Sequence, residues 1–319
     1  MNISIIIPNY NGEALLKKNL PKVIDAVKEY SKGTIEIIIP DDASSDHSRE
    51  VIAEFILSLK NKGIVGKTMS NTDAKKSGFS ANINRGVRLA TGDVLIFLNS
   101  DVVPYKNFLE YLLPHFQNEK VFAVGCMDES VENGKIVLRG RGVGKWQRGF
   151  LTHTKGEVDT SNTLWVSGGS GAFRADIYRK IGGLDEIYDP FYWEDIDVSY
   201  RAQKAGYMIR FESKSKVIHE HSNGSVQENF SQFHIKKIAY RNMFFFVWIN
   251  ITDKNLLISH FVWLPYYCVK SILAKDFEFW VGLLLALRNL PKVLGERRKA
   301  RKKFVLTDQE VLGQFTSNY

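Results

Sequence analysis

The sequence predicts an α/β fold: a mostly parallel central sheet flanked by helices, with a C-terminal helical extension. Short apolar runs alternate with segments of helical periodicity, which is typical of parallel strands buried on both faces. Polar residues follow each apolar run, at the edge where such sheets bind ligands. Beyond residue 235 the chain becomes rich in aromatic and apolar residues. We therefore expect one domain over residues 1–235 and a helical extension over residues 236–319.

The first elements can be assigned in order. "ISIIIPNYN" predicts a buried strand that ends at Pro8, and the apolar spacing of residues 13–30 predicts a helix. "TIEIIIPDDASSD" predicts a second strand that leaves into an acidic turn, with a helix over residues 48–60. "GDVLIFLNSDV" predicts a third strand, whose apolar run is broken by Asn99 and Asp101.

The rest of this domain is less regular. Residues 125–165 are rich in Gly and Arg and show little periodicity, so we expect a long functional loop there. After Asn162, "TLWVSGGSGAFRADIYRKIGGLDE" predicts a strand, a tight glycine turn and a helix. "GYMIRFESKSKVIHEHSNGS" predicts a strand, a turn and a second strand that ends in a loop with histidines.

Composition narrows the class of protein. The chain has 319 residues, 44% of them hydrophobic, which is an ordinary globular profile. Cys126 and Cys268 lie far apart and form no C-x-x-C motif, so neither a disulfide scaffold nor a structural zinc site is expected. The first residues lack the basic segment and long apolar stretch of a signal peptide. We therefore expect a cytoplasmic protein.

The C-terminal extension combines apolar and basic residues. Its apolar stretches are interrupted by Asn, His, Pro or charges, so amphipathic helices in a membrane interface are favoured over a transmembrane span. The net charge is +8, and residues 295–303 hold six Lys or Arg against one Glu. Such a run is either a solvated face or a site for nucleic acid, polyphosphate or anionic lipid. The aromatic neighbours favour a membrane surface, with a homo-oligomer contact as the alternative, and no reader motif supports nucleic acid.

Several polar residues fall just past predicted strands, at what should be one edge of the sheet: Asn9, Asp41, Asp42 and Asp101. Asp101 suits Mg²⁺ or Mn²⁺, which take few protein ligands beside substrate phosphates and water, although it also fits ordinary turn chemistry. Asp41 and Asp42 suit hydrogen bonds to a nucleobase or ribose, or else an Asx-turn with a helix cap. His219 and His221 share one side of a strand and suit a metal or phosphate, unless they are structural.

The stretch "DPFYWEDIDVSYR", residues 189–201, combines four carboxylates with several aromatic rings. A carboxylate walled by aromatic rings can have its pKa adjusted for proton transfer, which would make Glu194 or Asp195 a catalytic base. Alternatively, these acidic residues complement the dipole at the start of a helix.

Six blocks then occur in a recognisable order: "SIIIPNYNGE", "IPDDASSDHS", "SGFSANINRGVRLATGDVLIFLNSDV", "SGGSGAFRADIYRKIGGLDEIYDPFYWEDIDVSYRAQKAGY", "VIHEHSNGS" and "YRNMFFF". Together they span roughly residues 3–246. In this order they resemble the inverting glycosyltransferases of family 2, which have the GT-A (nucleotide-diphospho-sugar transferase) fold. The resemblance is strongest to the bacterial rhamnosyltransferase-like and galactofuranosyltransferase-like branch.

The resemblance implies roles for residues of the first five blocks. The nucleotide and its donor sugar would be bound by Pro8, Asn9, Tyr10, Asp41, Asp42, Gly78, Asn84, Asn99, Ser100 and Asp101. Asp195 would be the catalytic base, with Glu194 beside it. The acceptor or donor sugar would meet Gly169, Trp193 and Glu194. Mg²⁺ or Mn²⁺ would be bound by Asp101 and His219, with His221 as the alternative ligand.

The sequence departs from the family pattern at two places. The family's DxD motif reads Asn-Ser-Asp at residues 99–101, which leaves one carboxylate for a metal. The asparagine of its N-x-G-F motif is replaced by Lys76. Both changes fall where the resemblance implies contact with the donor.

The resemblance implies transfer of a sugar from a UDP- or dTDP-sugar to a hydroxyl of a glycan or lipid-linked glycan, as in cell-surface polysaccharide synthesis. The protein would then lie at the inner face of the cell membrane. Two other classes stay open. A nucleotidyltransferase also binds nucleotide and metal at the edge of an α/β sheet, but it would usually show a Gly-rich phosphate loop near the N-terminus. A non-catalytic nucleotide- or carbohydrate-binding module would keep the fold and lose the base.

Overall fold

The computed structural model describes residues 1–72, 77–132, 134–220 and 230–315. Its strands are Ile3–Ile6 (β1), Ile35–Asp41 (β2), Val65–Ser70 (β3), Val94–Leu98 (β4), Val102–Pro104 (β5), Val121–Glu132 (β6), Lys135–Arg139 (β7), Gly142–Gln147 (β8), Phe150–Lys155 (β9), Ser170–Arg174 (β10) and Met208–Glu220 (β11). In the described residues one sheet of nine strands runs in the order β3-β2-β1-β4-β10-β6-β11-β5, and β7 pairs with β6. Strands β8 and β9 form a separate hairpin.

The N-terminal half of the sheet is parallel, as predicted. Strand β1 lies between β2 and β4, and β3 lies beyond β2, with all three pairs parallel. Every residue of β1 and β4 is buried, because helices cover both faces of the sheet. Antiparallel pairing begins with β10, which lies between β4 and β6, so the sheet as a whole is mixed. The loops after β1, β2 and β4 therefore meet at one edge.

Two predictions about the middle of the chain are wrong. Residues 125–165 do not form a long loop: they contain most of β6 and all of β7, β8 and β9. Strand β7 has no buried residue, so its sequence carries no apolar alternation to reveal it. Residues 208–220 form one strand rather than two, and the expected turn is a register irregularity between Glu212 and Lys216.

The helices of the first domain are Glu13–Val27 (α1), Ser48–Lys60 (α2), Phe79–Leu89 (α3), Phe108–Leu112 (α4), Ala175–Ile181 (α5) and Glu194–Lys204 (α6), with 3-10 helices at Leu113–Gln117 and Glu186–Tyr188. Those that follow are Gln232–Asn250 (α7), Lys254–Leu273 (α8), Phe277–Arg288 (α9), Leu290–Arg301 (α10) and Asp308–Gly313 (α11). The boundary predicted at residue 235 falls inside α7. Phe244, Phe245 and Phe246 of this helix are buried in one apolar cluster with Trp193 and Tyr200.

A buried ion pair joins helix α6 to the end of the described chain. Lys204 and Asp308 are both fully buried, with 2.8 Å between Lys204 Nζ and Asp308 Oδ1. Tyr200 donates its hydroxyl to the same carboxylate oxygen, and the backbone N–H groups of Thr252 and Asp253 donate to the other. These bonds satisfy charges whose burial would otherwise cost several kcal/mol. Helix α6 therefore depends on residues more than a hundred positions further along the chain.

Helices α8 and α9 present a large apolar surface to solvent. In α8 the buried residues are His260 and Ser271, while Phe261 is 63% exposed and Leu273 is 80% exposed. Among the described residues α8 is the one helix long and apolar enough to cross a membrane, and 11% of its apolar stretch is buried. Exposed apolar patches of this kind mark interaction surfaces in soluble proteins.

Candidate active site

A cavity of about 420 Å³ opens at the edge of the sheet where β1 and β4 end. Its walls come from sequence-distant segments: Pro8, Asn9, Tyr10, Asn11, Gly12, Ala14, Leu15, Asp42, Gly78, Phe79, Asn82, Asn99, Ser100, Asp101, Ser167, Gly168, Gly169, Pro190, Phe191, Tyr192, Glu194 and Asp195. Most of the predicted site residues are in this set. We call residues 8–12, 42, 77–78 and 99–101 the N-terminal rim, and residues 189–195 the base loop.

Asp41, which the resemblance places on the ligand, does not line the cavity. It is fully buried at the end of β2, where its carboxylate accepts hydrogen bonds from Asn9 Nδ2 at 2.8 Å and from the Ser44 N–H at 3.1 Å. Arg49 Nε donates to it as well, at 3.2 Å. Asp41 therefore fixes the side chain of Asn9, and Asp42 is the carboxylate of this pair that faces the cavity.

Asp42 holds the loop in front of α3. Its carboxylate accepts the backbone N–H groups of Ser77 at 3.1 Å and Gly78 at 3.0 Å, and the side-chain amide of Asn71 at 3.0 Å. Burial alone would raise the pKa of Asp42, but the hydrogen bonds from Gly78 and Ser77 outweigh it and hold the pKa below the usual range. Asp42 is thus a stable anion, prepared to accept further N–H or O–H donors from a ligand.

Gly78 allows the N-terminal rim to approach the base loop. Its φ angle is 122°, and a Cβ atom here would lie 2.4 Å from Cγ of Asp189. Asp189 accepts the N–H groups of Ser80 at 2.8 Å and Ala81 at 3.2 Å, so it occupies the N-terminus of α3. Burial raises the pKa of Asp189 to about 7, although those two hydrogen bonds oppose the shift.

The loop after β4 meets the glycine turn before β10. The Asn99 N–H donates to the Gly169 carbonyl at 2.9 Å, and a Cβ atom on Gly169 would lie 2.5 Å from Asn99 Nδ2. Asn99, Ser100, Asp101 and Gly169 all line the cavity. A larger side chain at residue 169 would displace Asn99 and narrow the space in front of Asp101.

His219 does not line the cavity but lies directly behind Asp101. Its Nε2 is 3.1 Å from Asp101 Oδ2 and its Nδ1 is 3.0 Å from Asp128 Oδ2. Burial would lower the pKa of His219, but hydrogen bonds to the two carboxylates raise it to about 9. Asp128, on β6, was not identified from the sequence, because its approach depends on the pairing of β6 with β11.

The residues near Asp101 fit a weakly ligated divalent cation better than a closed metal cage. In the described part of the chain, no three His, Cys, Asp or Glu side chains are grouped so as to hold a metal ion. Asp101 offers one carboxylate to the cavity, with His219 behind it, which suits an ion that completes its shell with phosphate oxygens and water. His221, the alternative ligand, and Lys76 lie outside the described residues.

Glu194 and Asp195 begin helix α6 on the wall of the cavity. Glu194 is 8% exposed, and its Oε2 has no hydrogen-bond partner among the described residues. Burial and the neighbouring Asp195 raise the pKa of Glu194 well above its ordinary value. Burial also raises the pKa of Asp195 to about 6, against opposing hydrogen bonds from Ile196 and Gly168. Burial and the neighbouring carboxylate thus favour the neutral form of Glu194, while Asp195 keeps the lower pKa of the two.

The backbone before this pair is strained. Tyr192 and Trp193 have φ angles of 71° and 77°, in the left-handed region that L-residues other than Gly rarely adopt. Tyr192 lines the cavity and is 40% exposed. Trp193 does not line the cavity: it packs against Phe246, with ring centroids 5.2 Å apart. Of the two rings, Tyr192 is the one that could stack on a sugar.

Asn84 also lies away from the cavity. Its side-chain amide donates to the Leu184 carbonyl at 2.8 Å and to Glu186 Oε1 at 3.1 Å. It lines a second, polar cavity of about 370 Å³ between α3 and α10. Asn84 therefore ties α3 to the segment before the base loop, and it does not line the cavity that contains most of the predicted site residues.

Comparison with known proteins agrees with this architecture. The profile described as Glycosyl transferase family 2 matches residues 4–182, more than half of the chain. The chain belongs to glycosyltransferase family 2. A second profile, Glycosyl transferase family group 2, matches residues 94–293 and so extends into the C-terminal helices.

Curated relatives of this family 2 chain are distant and mostly longer. "Probable glycosyltransferase YdaM" of Bacillus subtilis is 25% identical over 66% of this chain and 48% of its own length. "Amylovoran biosynthesis glycosyltransferase AmsB" of Erwinia amylovora is 26% identical over 65% of each chain. "Poly(ribitol-phosphate) beta-glucosyltransferase" of Bacillus spizizenii is 25% identical over 56% of this chain and 26% of its own length. The chain thus spans less than two thirds of the length of these relatives.

Solved structures show that the fold is GT-A. S. aureus TarS 1-349 in complex with UDP-GlcNAc aligns with a TM-score of 0.61 at 15% identity, over 98% of this chain and 89% of that one. The mannosyltransferase PcManGT from Pyrobaculum calidifontis, in complex with GDP-Man and Mn²⁺, aligns with a TM-score of 0.56 at 15% identity, over 94% and 86%. GalNAc-T7 with UDP, GalNAc and Mn²⁺ has a TM-score of 0.61 at 19% identity, over 80% and 48%.

Proposed function

We propose that this protein transfers a sugar from a nucleotide-diphosphate donor to an acceptor hydroxyl, with inversion at the anomeric carbon. The observation that carries the proposal is a single cavity with two kinds of carboxylate on its walls. Asp42 has a depressed pKa, whereas Glu194 and Asp195 have raised ones. Different environments thus separate the titratable groups into a stable anion and a proton acceptor.

Asp195 is proposed as the base. It removes the proton of the acceptor hydroxyl while the acceptor oxygen forms a bond to the anomeric carbon. The bond from that carbon to the diphosphate oxygen breaks, and the electron pair leaves with the diphosphate. A protonated Glu194 beside Asp195 leaves one anionic carboxylate and orients the acceptor through its otherwise unpartnered Oε2.

We propose Mg²⁺ or Mn²⁺ at Asp101, supported by the two related GT-A structures that contain Mn²⁺. When bound, the cation would stabilise the negative charge that develops on the leaving diphosphate. Asp101 would hold it, and His219 would orient Asp101. Direct ligation by His219 would require its neutral form and the loss of the contact between its Nε2 and Asp101.

For the substrates, we propose a UDP- or dTDP-sugar donor and a glycan or lipid-linked glycan acceptor in cell-surface polysaccharide synthesis, in the rhamnosyltransferase-like or galactofuranosyltransferase-like branch. The names of two relatives, in amylovoran biosynthesis and poly(ribitol-phosphate) glucosylation, support an acceptor of this class. TarS with UDP-GlcNAc supports a uridine donor.

We further propose that helices α8 and α9 place the protein on the cytoplasmic face of a membrane, where a lipid-linked acceptor would lie. The exposed apolar side chains include Ile258, Phe261, Val262, Trp263, Tyr266, Val269, Ile272, Leu273, Phe277, Trp280, Leu284 and Leu287. Exposed basic residues such as Lys270, Lys275 and Arg288 lie among them and would meet anionic headgroups. A homo-oligomer contact through the same surface is the alternative.

Nucleotide-sugars should be screened by thermal shift with and without Mn²⁺, followed by nucleoside diphosphate release in the presence of acceptor. A cognate donor at about 100 times its Kd should stabilise the fold by roughly 2.7 kcal/mol, a rise in Tm of about 4 °C. Binding without acceptor-dependent release would favour a non-catalytic module. Pyrophosphate release from a nucleoside triphosphate would favour a nucleotidyltransferase.

Membrane association should be tested with sedimentation of vesicles that contain 30% anionic lipid. Phe261→Asp and Val262→Asp should shift the protein from the pellet to the supernatant. Leu57→Asp, at a side chain on α2 that is 61% exposed, is the matched control and should change nothing. Equal sedimentation of all three variants, or a concentration-dependent dimer that Phe261→Asp disrupts, would argue against the membrane surface.

A further inference from the structure

The base loop has no regular secondary structure before α6, yet each backbone carbonyl from residue 188 to residue 192 accepts a hydrogen bond. Buried carbonyl groups of an irregular segment need such partners, and the partners decide which backbone conformation is stable. The Pro190 carbonyl accepts the N–H of Phe79 at 3.1 Å, which joins the loop to the start of α3. The other four carbonyls accept from two adjacent side chains on α7.

Asn242 provides most of these bonds. It is fully buried, and its Nδ2 lies 2.8 Å from the Tyr188 carbonyl, 2.9 Å from that of Phe191 and 2.8 Å from that of Tyr192. Its two N–H groups serve three oxygens, so one N–H is shared between two of them. One amide group thus brings together three carbonyl oxygens that would otherwise repel one another. Leucine has a similar volume but cannot donate a hydrogen bond.

Arg241 provides the remaining bonds and orients the amide. Its guanidinium donates to the Asp189 carbonyl at 2.6 Å and the Tyr188 carbonyl at 3.1 Å. Its Nε donates to Asn242 Oδ1 at 2.9 Å, so the oxygen of that amide faces Arg241 and its nitrogen faces the loop. The guanidinium also lies 5.2 Å from the ring centroid of Phe245, on the same helix.

These bonds act where the backbone is strained. Left-handed φ angles at Tyr192 and Trp193 cost about 1–2 kcal/mol each in the absence of compensation. The two residues come directly before Glu194, so their conformation sets the direction in which α6 starts. Without bonds to the carbonyls of residues 188–192, the loop would relax towards ordinary φ angles, and the two carboxylates would turn away from the cavity.

We infer that Arg241 and Asn242 are positioning residues of the transfer reaction: they hold the base loop in the strained conformation that presents Glu194 and Asp195 to the acceptor. This inference depends on the proposed function. It assigns part of the active site to a helix that the sequence places in the C-terminal extension. It also explains why α7 packs into the core rather than on the outside of the domain.

If the inference is correct, loss of the Asn242 amide should impair catalysis by the base loop but not binding of the nucleotide-sugar at the N-terminal rim. In Asn242→Leu, kcat should fall about 100-fold, while the Kd for nucleotide-sugar should stay within about 2-fold, because no residue of the N-terminal rim contacts Asn242 among the described residues. The acidic limb of the kcat/KM profile should move from about pH 6 towards pH 4. Once Asp195 is released from the cavity wall it is hydrated, and its pKa returns towards the ordinary value of an aspartate. The titratable and charged groups around that loop are Glu194, Asp189, Asp197, Glu186, Arg201 and Arg241.

Ile249→Ala is the matched control for lost stability. Ile249 is fully buried on the same helix, and an Ile→Ala change costs about 2–5 kcal/mol. It should lower Tm at least as much as Asn242→Leu does, with kcat and the pH limb unchanged. Arg241→Lys keeps one donor and the charge, so we expect a kcat between those of Asn242→Leu and the wild type.

Hydrogen exchange gives a readout that does not depend on activity. Amides of residues 189–197 should exchange at least 10-fold faster in Asn242→Leu, and so should those of Phe79, Ser80 and Ala81, which donate to the base loop. The amides of Asp42, Asn99 and Val102, which donate to carbonyls outside the base loop, should not change. Unchanged exchange and an unmoved pH limb in Asn242→Leu would overturn the inference. Wild-type turnover in Asp195→Asn would instead overturn the proposed function, so the two failures can be told apart.

Discussion

The N-terminal rim and the base loop form opposite walls of one cavity, and their carboxylates differ in hydrogen bonding and in pKa. On the rim, Asp42 accepts hydrogen bonds from its own loop, and its pKa is lowered. On the base loop, Glu194 has an oxygen without a partner among the described residues, and two left-handed residues precede it. The carboxylate of the rim is therefore fixed by its own loop, whereas that of Glu194 keeps an oxygen for a ligand. On the rim it is the amide oxygen of Asn9, Oδ1, that has no partner among the described residues.

The largest effect is expected from removing the base. Asp195→Asn should lower kcat about 10²- to 10⁴-fold, the usual contribution of general-base catalysis, and leave nucleotide-sugar binding intact. The measurement is steady-state transfer together with donor-dependent thermal shift. Asp25→Asn, at an exposed carboxylate on α1, is the control and should behave as wild type. Near-normal transfer by Asp195→Asn would remove the base assignment.

A comparably large effect on stability is expected where α6 is anchored. Asp308→Ala leaves the Lys204 ammonium buried without its carboxylate, which should cost about 3–5 kcal/mol of unfolding free energy. Chemical denaturation would measure this loss. The matched change is Glu310→Ala. Glu310 belongs to the capping box of α11, the helix that begins at Asp308, and its loss should cost only about 1 kcal/mol of unfolding free energy. Similar losses in both variants would show that the buried pair contributes little.

A smaller effect is expected on the rim. Asp42→Asn keeps the size of the side chain but replaces one acceptor oxygen with a donor that faces the N–H groups of Ser77 and Gly78. The Kd for nucleotide-sugar should rise about 10- to 100-fold, with kcat at saturating donor within about 3-fold of wild type. Isothermal titration would measure the Kd. A variant in which kcat falls and the Kd is unchanged would contradict the division between the two walls.

The smallest expected effect is the pH dependence of kcat/KM and of stability in the wild-type protein, which distinguishes the two walls of the cavity without a mutation. Because the pKa of Asp195 is raised to about 6, its carboxylate form, and with it kcat/KM, should increase as pH rises through 6 and then level off. Stability should move in the opposite sense. The folded state binds the Asp195 proton more tightly than the unfolded state does, so unfolding free energy falls between about pH 4 and pH 6.

In Asp195→Asn the unfolding free energy should no longer fall as pH rises, and the Tm at pH 7 should be higher than that of the wild type. Thermal melts of both proteins across pH 4–8 would test this expectation. Parallel pH profiles would mean that burial of Asp195 has no energetic consequence for the fold.

The sequence predicted the parallel half of the fold and most of the cavity, because both follow from local pattern and strand order. Local pattern could not show which of the adjacent carboxylates, Asp41 or Asp42, faces the ligand. Neighbouring residues at a strand end point in opposite directions, and the assignment of Asp42 rather than Asp41 depends on where β2 ends. Tyr192 and Trp193 posed the same problem, since neither residue type usually adopts the left-handed φ angles found here.

Contacts across long sequence distances were beyond the sequence argument. Asp128 meets His219 through strand pairing, and Asn242 meets the base loop through helix packing. Asp128 lies in none of the blocks that carry the resemblance, and Asn242 lies in the block "YRNMFFF" but has no charge that would indicate a site. Strand β7 was missed because its exposed residues carry no apolar alternation.

The buried pair between Lys204 and Asp308 also has a consequence for biosynthesis. Its two members are separated by 104 positions in the chain. At the usual rate of about 5–20 residues per second, a ribosome needs roughly 5–20 s to go from one to the other. During that interval Lys204 has no buried partner, so we expect helix α6 and its carboxylates to settle late. A nascent chain would then acquire its nucleotide-binding half well before it could activate an acceptor.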